Sequence, residues 1–164
     1  MDIVTAEMLA ELDPWIQSGT IIVEPANAMY FGRIESRFPI AVNRIDWSKV
    51  GSVKEIVLRP SPDSVTIQQM RKEIQGRLHE IRSLVLAFAA NDTGNIVAVG
   101  DDSSVALRMS IGTLFDCCDI LFEQPQHMYV IPETADWCVQ YTLEGYLYGG
   151  FARNAVAVGW IEDD

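Results

Sequence analysis

Cysteine and histidine are scarce in this chain, with three of the first and two of the second among 164 residues. The adjacent pair Cys117-Cys118 and the single Cys138 give neither an even disulfide framework nor the spacing of a structural zinc site. Reduced thiols packed in the core are the expectation. His79 and His127 leave little room for a metal cluster. No Gly-x-Gly-x-x-Gly dinucleotide loop, phosphate-binding P-loop, His-Glu-x-x-His zinc motif or Gly-x-Ser-x-Gly nucleophile elbow occurs. No cofactor or metal is expected, and no small-molecule substrate is indicated.

Long apolar runs are also missing. The longest, Leu84 to Ala90, is far shorter than the roughly 20 residues a membrane-spanning helix needs. The opening residues, Met1 to Glu7, lack the basic and apolar regions of a secretory leader, so a cytoplasmic location is expected. Positive charge is in deficit as well. Lys plus Arg is 12 against 23 for Asp plus Glu, a formal net charge of −11. Such a field repels nucleic acid and anionic membrane and attracts basic proteins.

What is present is ordinary globular material: 49% apolar and 21% charged residues, enough chain for one core, and no linker or internal repeat. A single domain over 1–164 is expected. Thr5 to Leu12 reads as a helix capped by Thr5 and ended by Pro14 and Gly19, with a strand over Thr20–Glu24. Ala28–Ile34, Ile40–Ile45 and Val53–Leu58 read as further strands. Ile67, Met70, Ile74, Leu78, Ile81 and Val85 step by three or four residues and predict one long helix, with a Thr66/Gln69 capping box and a solvated face carrying Arg71, Arg77 and Arg82. Leu86–Ala90 and Ile96–Val99 read as strands. Asp101 to Ser104 offers N-caps for a helix over Val105–Glu123, closed by Pro125, although Val105, Leu107 and Met109 also alternate as in a strand. His127–Ile131, Trp137–Leu143 and Tyr146–Phe151 are strands, the last two joined through Glu144-Gly145, and Ala155–Ile161 adds one more. The whole reads as α+β: a mainly antiparallel sheet with two longer helices and a C-terminal hairpin or meander.

Two surfaces are candidates for binding. Winding Val105–Glu123 as a helix places Asp116, Asp119 and Glu123 on one side with no Lys or Arg in local reach, and Ile120 and Met109 project the same way. Asp101 and Asp102 lie nearby in sequence. The second surface is the C-terminal meander, with Glu133, Asp136, Glu144, Tyr146 and Tyr148. The candidate partner-binding residues are therefore Asp101, Asp102, Asp116, Asp119, Ile120, Glu123, Glu144 and Tyr146. A Cys138–His127–Asp136 arrangement is the one catalytic grouping the residue types allow; catalysis is not expected, because those residues sit in no motif.

The segment His127-Met128-Tyr129-Val130-Ile131-Pro132, followed by Ala135 to Phe151 and preceded by a helix, resembles small immunity proteins of bacterial contact-dependent growth inhibition and related polymorphic toxin systems. The resemblance covers the last third of the chain and is a pattern of helix, strand and aromatic hairpin. It implies a cytoplasmic antidote that binds a cognate toxin domain, often a nuclease, and blocks it by direct contact. The resemblance fixes no binding residue by position. The rival readings are an acidic interaction protein with another basic partner, and a small Cys/His hydrolase.

Overall fold

A computed structural model describes residues 2–58, 66–89, 94–124 and 126–153. Among these, six α-helices and a seven-stranded antiparallel sheet with a separate two-stranded hairpin form an α+β fold. The segments 59–65, 90–93 and 154–164 lie outside the described residues, as does Pro125, so the strand expected over Ala155–Ile161 falls there.

Helix α1 spans Ile3–Glu11 and is capped by Asp2, not Thr5. Thr5 is buried one turn in, its hydroxyl donating to Asp2 and accepting from the Ser104 N–H. Pro14 does not end the helical stretch. It occupies the first turn of a second short helix, α2 (Asp13–Gln17), where a missing N–H costs nothing. Strand β1 is Ile22–Glu24. The strand expected over Ala28–Ile34 is instead helix α3, Asn27–Arg37, whose Tyr30 and Ile34, followed by Phe38, form a buried stripe at four-residue spacing. Ile40–Ile45 is two strands, β2 (Ile40–Ala41) and β3 (Arg44–Ile45), because Val42 and Asn43 both take left-handed backbone (φ 51° and 64°), as a tight hairpin turn requires. A 3-10 turn, Trp47–Lys49, and strand β4, Lys54–Val57, follow.

The long amphipathic segment is two helices. Helix α4, Ile67–Gly76, has the expected Thr66/Gln69 capping box, and α5, Leu78–Ala89, continues after a break at Arg77. The strand expected over Leu86–Ala90 is helical through Ala89. After β5, Ile96–Gly100, the alternation of Val105, Leu107 and Met109 prevails over the helical reading: Ala106–Met109 is strand β6, paired with β5. Helix α6 begins only at Ile111, capped by Ser110, and ends at Glu123. Strands β7 (Met128–Pro132), β8 (Trp137–Tyr141) and β9 (Tyr146–Phe151) form a meander among the described residues.

The sheet runs β1-β6-β5-β7-β8-β9-β4, every pair antiparallel. Strands β5, β7 and β8 are buried throughout because both faces are covered. One face, with Ala98, Val130, Trp137, Val139 and Tyr141, packs against α1, α4, α5 and α6. The other, with Val97, Val99, Tyr129, Ile131 and Cys138, packs under α3, the β2–β3 hairpin and Trp47. Each large apolar side chain buried this way contributes about 1.5–3 kcal/mol. Two consecutive glycines in β9 let both layers close in. A Cβ on Gly149 would stand 2.5 Å from Phe88 Cε2, and one on Gly150 would stand 2.8 Å from Val50 Cγ1.

Candidate functional site

The second layer does not cover its face of the sheet completely. Between the β2–β3 hairpin and the ends of β8 and β9 lies an open cleft of about 740 Å3. One wall is the stretch from Ala41 to Ser48; the other is Gln140, Thr142, Glu144, Tyr146 and Tyr148, with Asp101 and His127 at the end of the sheet.

Strand register builds an aromatic row along this cleft. Side chains two apart on β9 share a face, so Tyr146 and Tyr148 stand side by side, their centroids 5.9 Å apart with ring planes at 20°. Trp47 stacks on Tyr148 from the hairpin side, at 5.8 Å and 21°. Trp47 is anchored from beneath: its indole N–H donates to Gln140 Oε1 at 2.7 Å, and the Gln140 amide donates to the Tyr129 hydroxyl at 3.2 Å. Gln140 is fully buried, so this relay satisfies polar atoms that water cannot reach. Burial also raises the Tyr129 phenol above its ordinary value.

The charged end is organised around His127. Its backbone N–H donates to Asp101 Oδ1 at 3.0 Å, and its ring Nδ1 accepts the Leu143 backbone N–H at 3.1 Å. With Nδ1 accepting, the neutral ring carries its proton on Nε2. That atom stands 3.4 Å from Arg44 Nη1, a donor facing a donor. Arg44 Nη1 also donates to Glu144 Oε1 at 3.2 Å. Burial pushes the Glu144 carboxyl up, but its own backbone N–H and the Arg44 guanidinium outweigh this and hold it below the usual carboxylate value.

Of the eight residues expected from sequence, the structure brings Asp101, Glu144 and Tyr146 together in this cleft, with Asp102 exposed beside Asp101 on the turn after β5. Asp116 and Asp119 lie apart, on α6, lining a second hollow of about 270 Å3 with Gln75 and Phe115. Asp119 accepts from the Gln75 amide at 2.8 Å. The outer helix face expected around Ile120 and Glu123 is corrected. Ile120 and Met109 are buried, and Met109 belongs to β6 and not to the helix. The Glu123 side chain is 6% exposed and pairs with Arg71 at 2.6 Å. Arg71, expected on a solvated face, instead reaches from α4 to bridge Glu11 of α1 and Glu123 of α6. Local spacing within α6 could not reveal a partner arriving from another helix.

The meander acids are partly neutralised. Glu133 pairs with Arg108 and Asp136 with Arg37. Among the described residues, Asp101, Asp102, Asp116 and Asp119 have no Lys, Arg or His within salt-bridge distance. Sequence reasoning missed Arg44 and Trp47, since both lie in a segment read as a plain strand and its sequel.

The Cys138–His127–Asp136 grouping is taken apart. Cys138 lies on β8 opposite Gly150, fully buried, with its thiol pushed well above the usual range by burial. His127 lies at the far end of the strand pair and Asp136 is held by Arg37. Burial likewise pushes Cys117 and Cys118 up to about 12. A disulfide-exchange reagent at pH 8 is therefore expected to leave all three thiols unlabelled in the native protein and to label them promptly in denaturant; fast native labelling of Cys138 would refute this burial. Among the described residues no group of three or more His, Cys, Asp and Glu side chains could hold a metal ion, and no helix is long and apolar enough to cross a membrane.

No known family model matches the chain, and no significant similarity to a curated protein or to a solved structure is found.

Proposed function

We propose that this chain is a protein-binding antidote that docks a basic toxin domain, most simply a nuclease of the polymorphic or contact-dependent kind, and blocks it by direct contact. The grouping of Asp101, Glu144 and Tyr146 in one open cleft carries the reading. It combines carboxylates, aromatic surface and shape on the same side of a strongly acidic molecule. A nuclease must present positive charge to phosphate, and a net charge of −11 steers this chain toward such a surface. The segment from His127 to Phe151, on which the likeness to immunity proteins rests, supplies His127, Glu144, Tyr146 and Tyr148 to the cleft.

The test is co-expression with the polypeptide encoded immediately upstream, read as rescue of growth and as a co-purifying complex. Two charge reversals then locate the interface. Asp101→Lys with Asp102→Lys is expected to weaken the complex about 100-fold at low salt, whereas Asp116→Lys with Asp119→Lys costs about threefold or less. Calorimetry at several salt concentrations measures both. A larger loss from the α6 pair would move the interface to that helix, and an upstream product that neither harms cells nor binds would remove the antidote reading.

A further inference from the structure

The cleft contains a precedent for its own ligand. Arg44, on the β2–β3 hairpin, reaches across to Glu144, so a guanidinium already meets one of the cleft's carboxylates. The rest of the charge is unevenly matched. Asp46 has Lys49 at 3.9 Å and Glu144 has Arg44, while Asp101 accepts a backbone N–H and has no cation in reach among the described residues. Beside these acids the aromatic row ends at Tyr146, which, like Tyr148, is half-buried. A planar cation satisfies both features at once, because a guanidinium stacks on an aromatic face and presents paired donors to a carboxylate. An ammonium group has no such plane, and a neutral ligand leaves the net negative charge of the cleft without a counterpart.

The hairpin adds a rim contact. Val42, at its tip, is 93% exposed and sits in left-handed backbone that a β-branched residue seldom adopts.

We infer that the cleft receives an arginine side chain of the basic partner, stacked on Tyr146 at the end of the aromatic row and paired with Asp101, next to the Arg44–Glu144 bridge. This deepens the antidote reading, on which it rests for the identity of the partner as a protein. The chemistry of the cleft is nevertheless testable without that partner.

The full chain is titrated with acetyl-triarginine amide and, at equal charge, acetyl-trilysine amide, following the indole N–H of Trp47 and the backbone amide of Tyr146 by nitrogen-15 NMR. Triarginine is expected to shift both signals saturably and to bind at least about fivefold more tightly than trilysine. Asp101→Asn and Tyr146→Leu should each weaken triarginine at least about threefold. Should Tyr146→Leu not fold, Asp101→Asn gives the same reading. Equal binding of the two peptides, or unmoved reporter signals, would overturn the inference. So would a neutral disaccharide that shifts these signals when triarginine does not. The two proposals fail separately: a chain that protects cells while its cleft ignores arginine sinks only this inference. An arginine-selective cleft in a chain that protects no cell leaves it standing and removes the antidote.

Discussion

Arg71→Met is expected to lower stability by about 3 kcal/mol, a large share of the total for a domain of this size. The guanidinium is the only described cation within salt-bridge distance of Glu123, whose side chain is 6% exposed, and it also holds Glu11. Three helices, α1, α4 and α6, meet at this one side chain. Methionine keeps much of the aliphatic bulk but leaves the Glu123 carboxylate facing protein with no counter-charge. Removing one member of a buried pair costs more than replacing both, since the survivor is left unpaired. Arg71→Met with Glu123→Gln should therefore recover more than half of the loss. Urea unfolding of the single and double variants checks both numbers. A loss below about 1 kcal/mol for the single variant would place the pair among ordinary surface bridges.

Trp47→Ala is expected to cost a similar amount, about 3 kcal/mol, and to disable the cleft as well. Three contacts go together: the stack on Tyr148, the contact with Phe38, and the hydrogen bond to Gln140. Gln140 Oε1 is then buried without its donor, at a penalty of about 1–3 kcal/mol. Trp47→Phe separates the effects. It restores ring packing but not the donor, and should recover roughly half of the stability. Thermal and urea unfolding read the stability, and triarginine titration reads the cleft. If Trp47→Ala unfolds at the wild-type denaturant concentration, the hairpin is not held to the sheet by this indole.

The parts of the fold legible in the sequence were those governed by one period over enough residues. The Thr66/Gln69 capping box and the β8–β9 hairpin both follow from local spacing. Misreadings came where two periods overlap. Ala28–Ile34 contains Tyr30 and Ile34 at helical spacing but also enough β-branched and aromatic residues to read as a strand. Leu86–Ala90 is an apolar run short enough for a strand, yet Leu86 to Ala89 form the last turn of α5. The candidate site was legible in the same uneven way. Asp101 is far in sequence from Glu144 and Tyr146, and only the antiparallel path β5-β7-β8-β9 brings it to their end of the sheet. Charge identity was visible in the composition, but its neutralisation was not. Glu123 and Asp119 differ in what α4 offers them, an arginine in one case and a glutamine amide in the other.

The β2–β3 hairpin shares no strand pairing with the large sheet, and each of its strands is two residues long. Ile45 and the neighbouring Phe38 tie it to the core, while Ile40 to Arg44 face solvent. The exposed residues at the hairpin tip are thus separate from Ile45, Trp47 and Gln140, which line the cleft and also hold the domain together. The tip and the charge at Arg44 can therefore be substituted without reopening the helices and sheet that stand behind them.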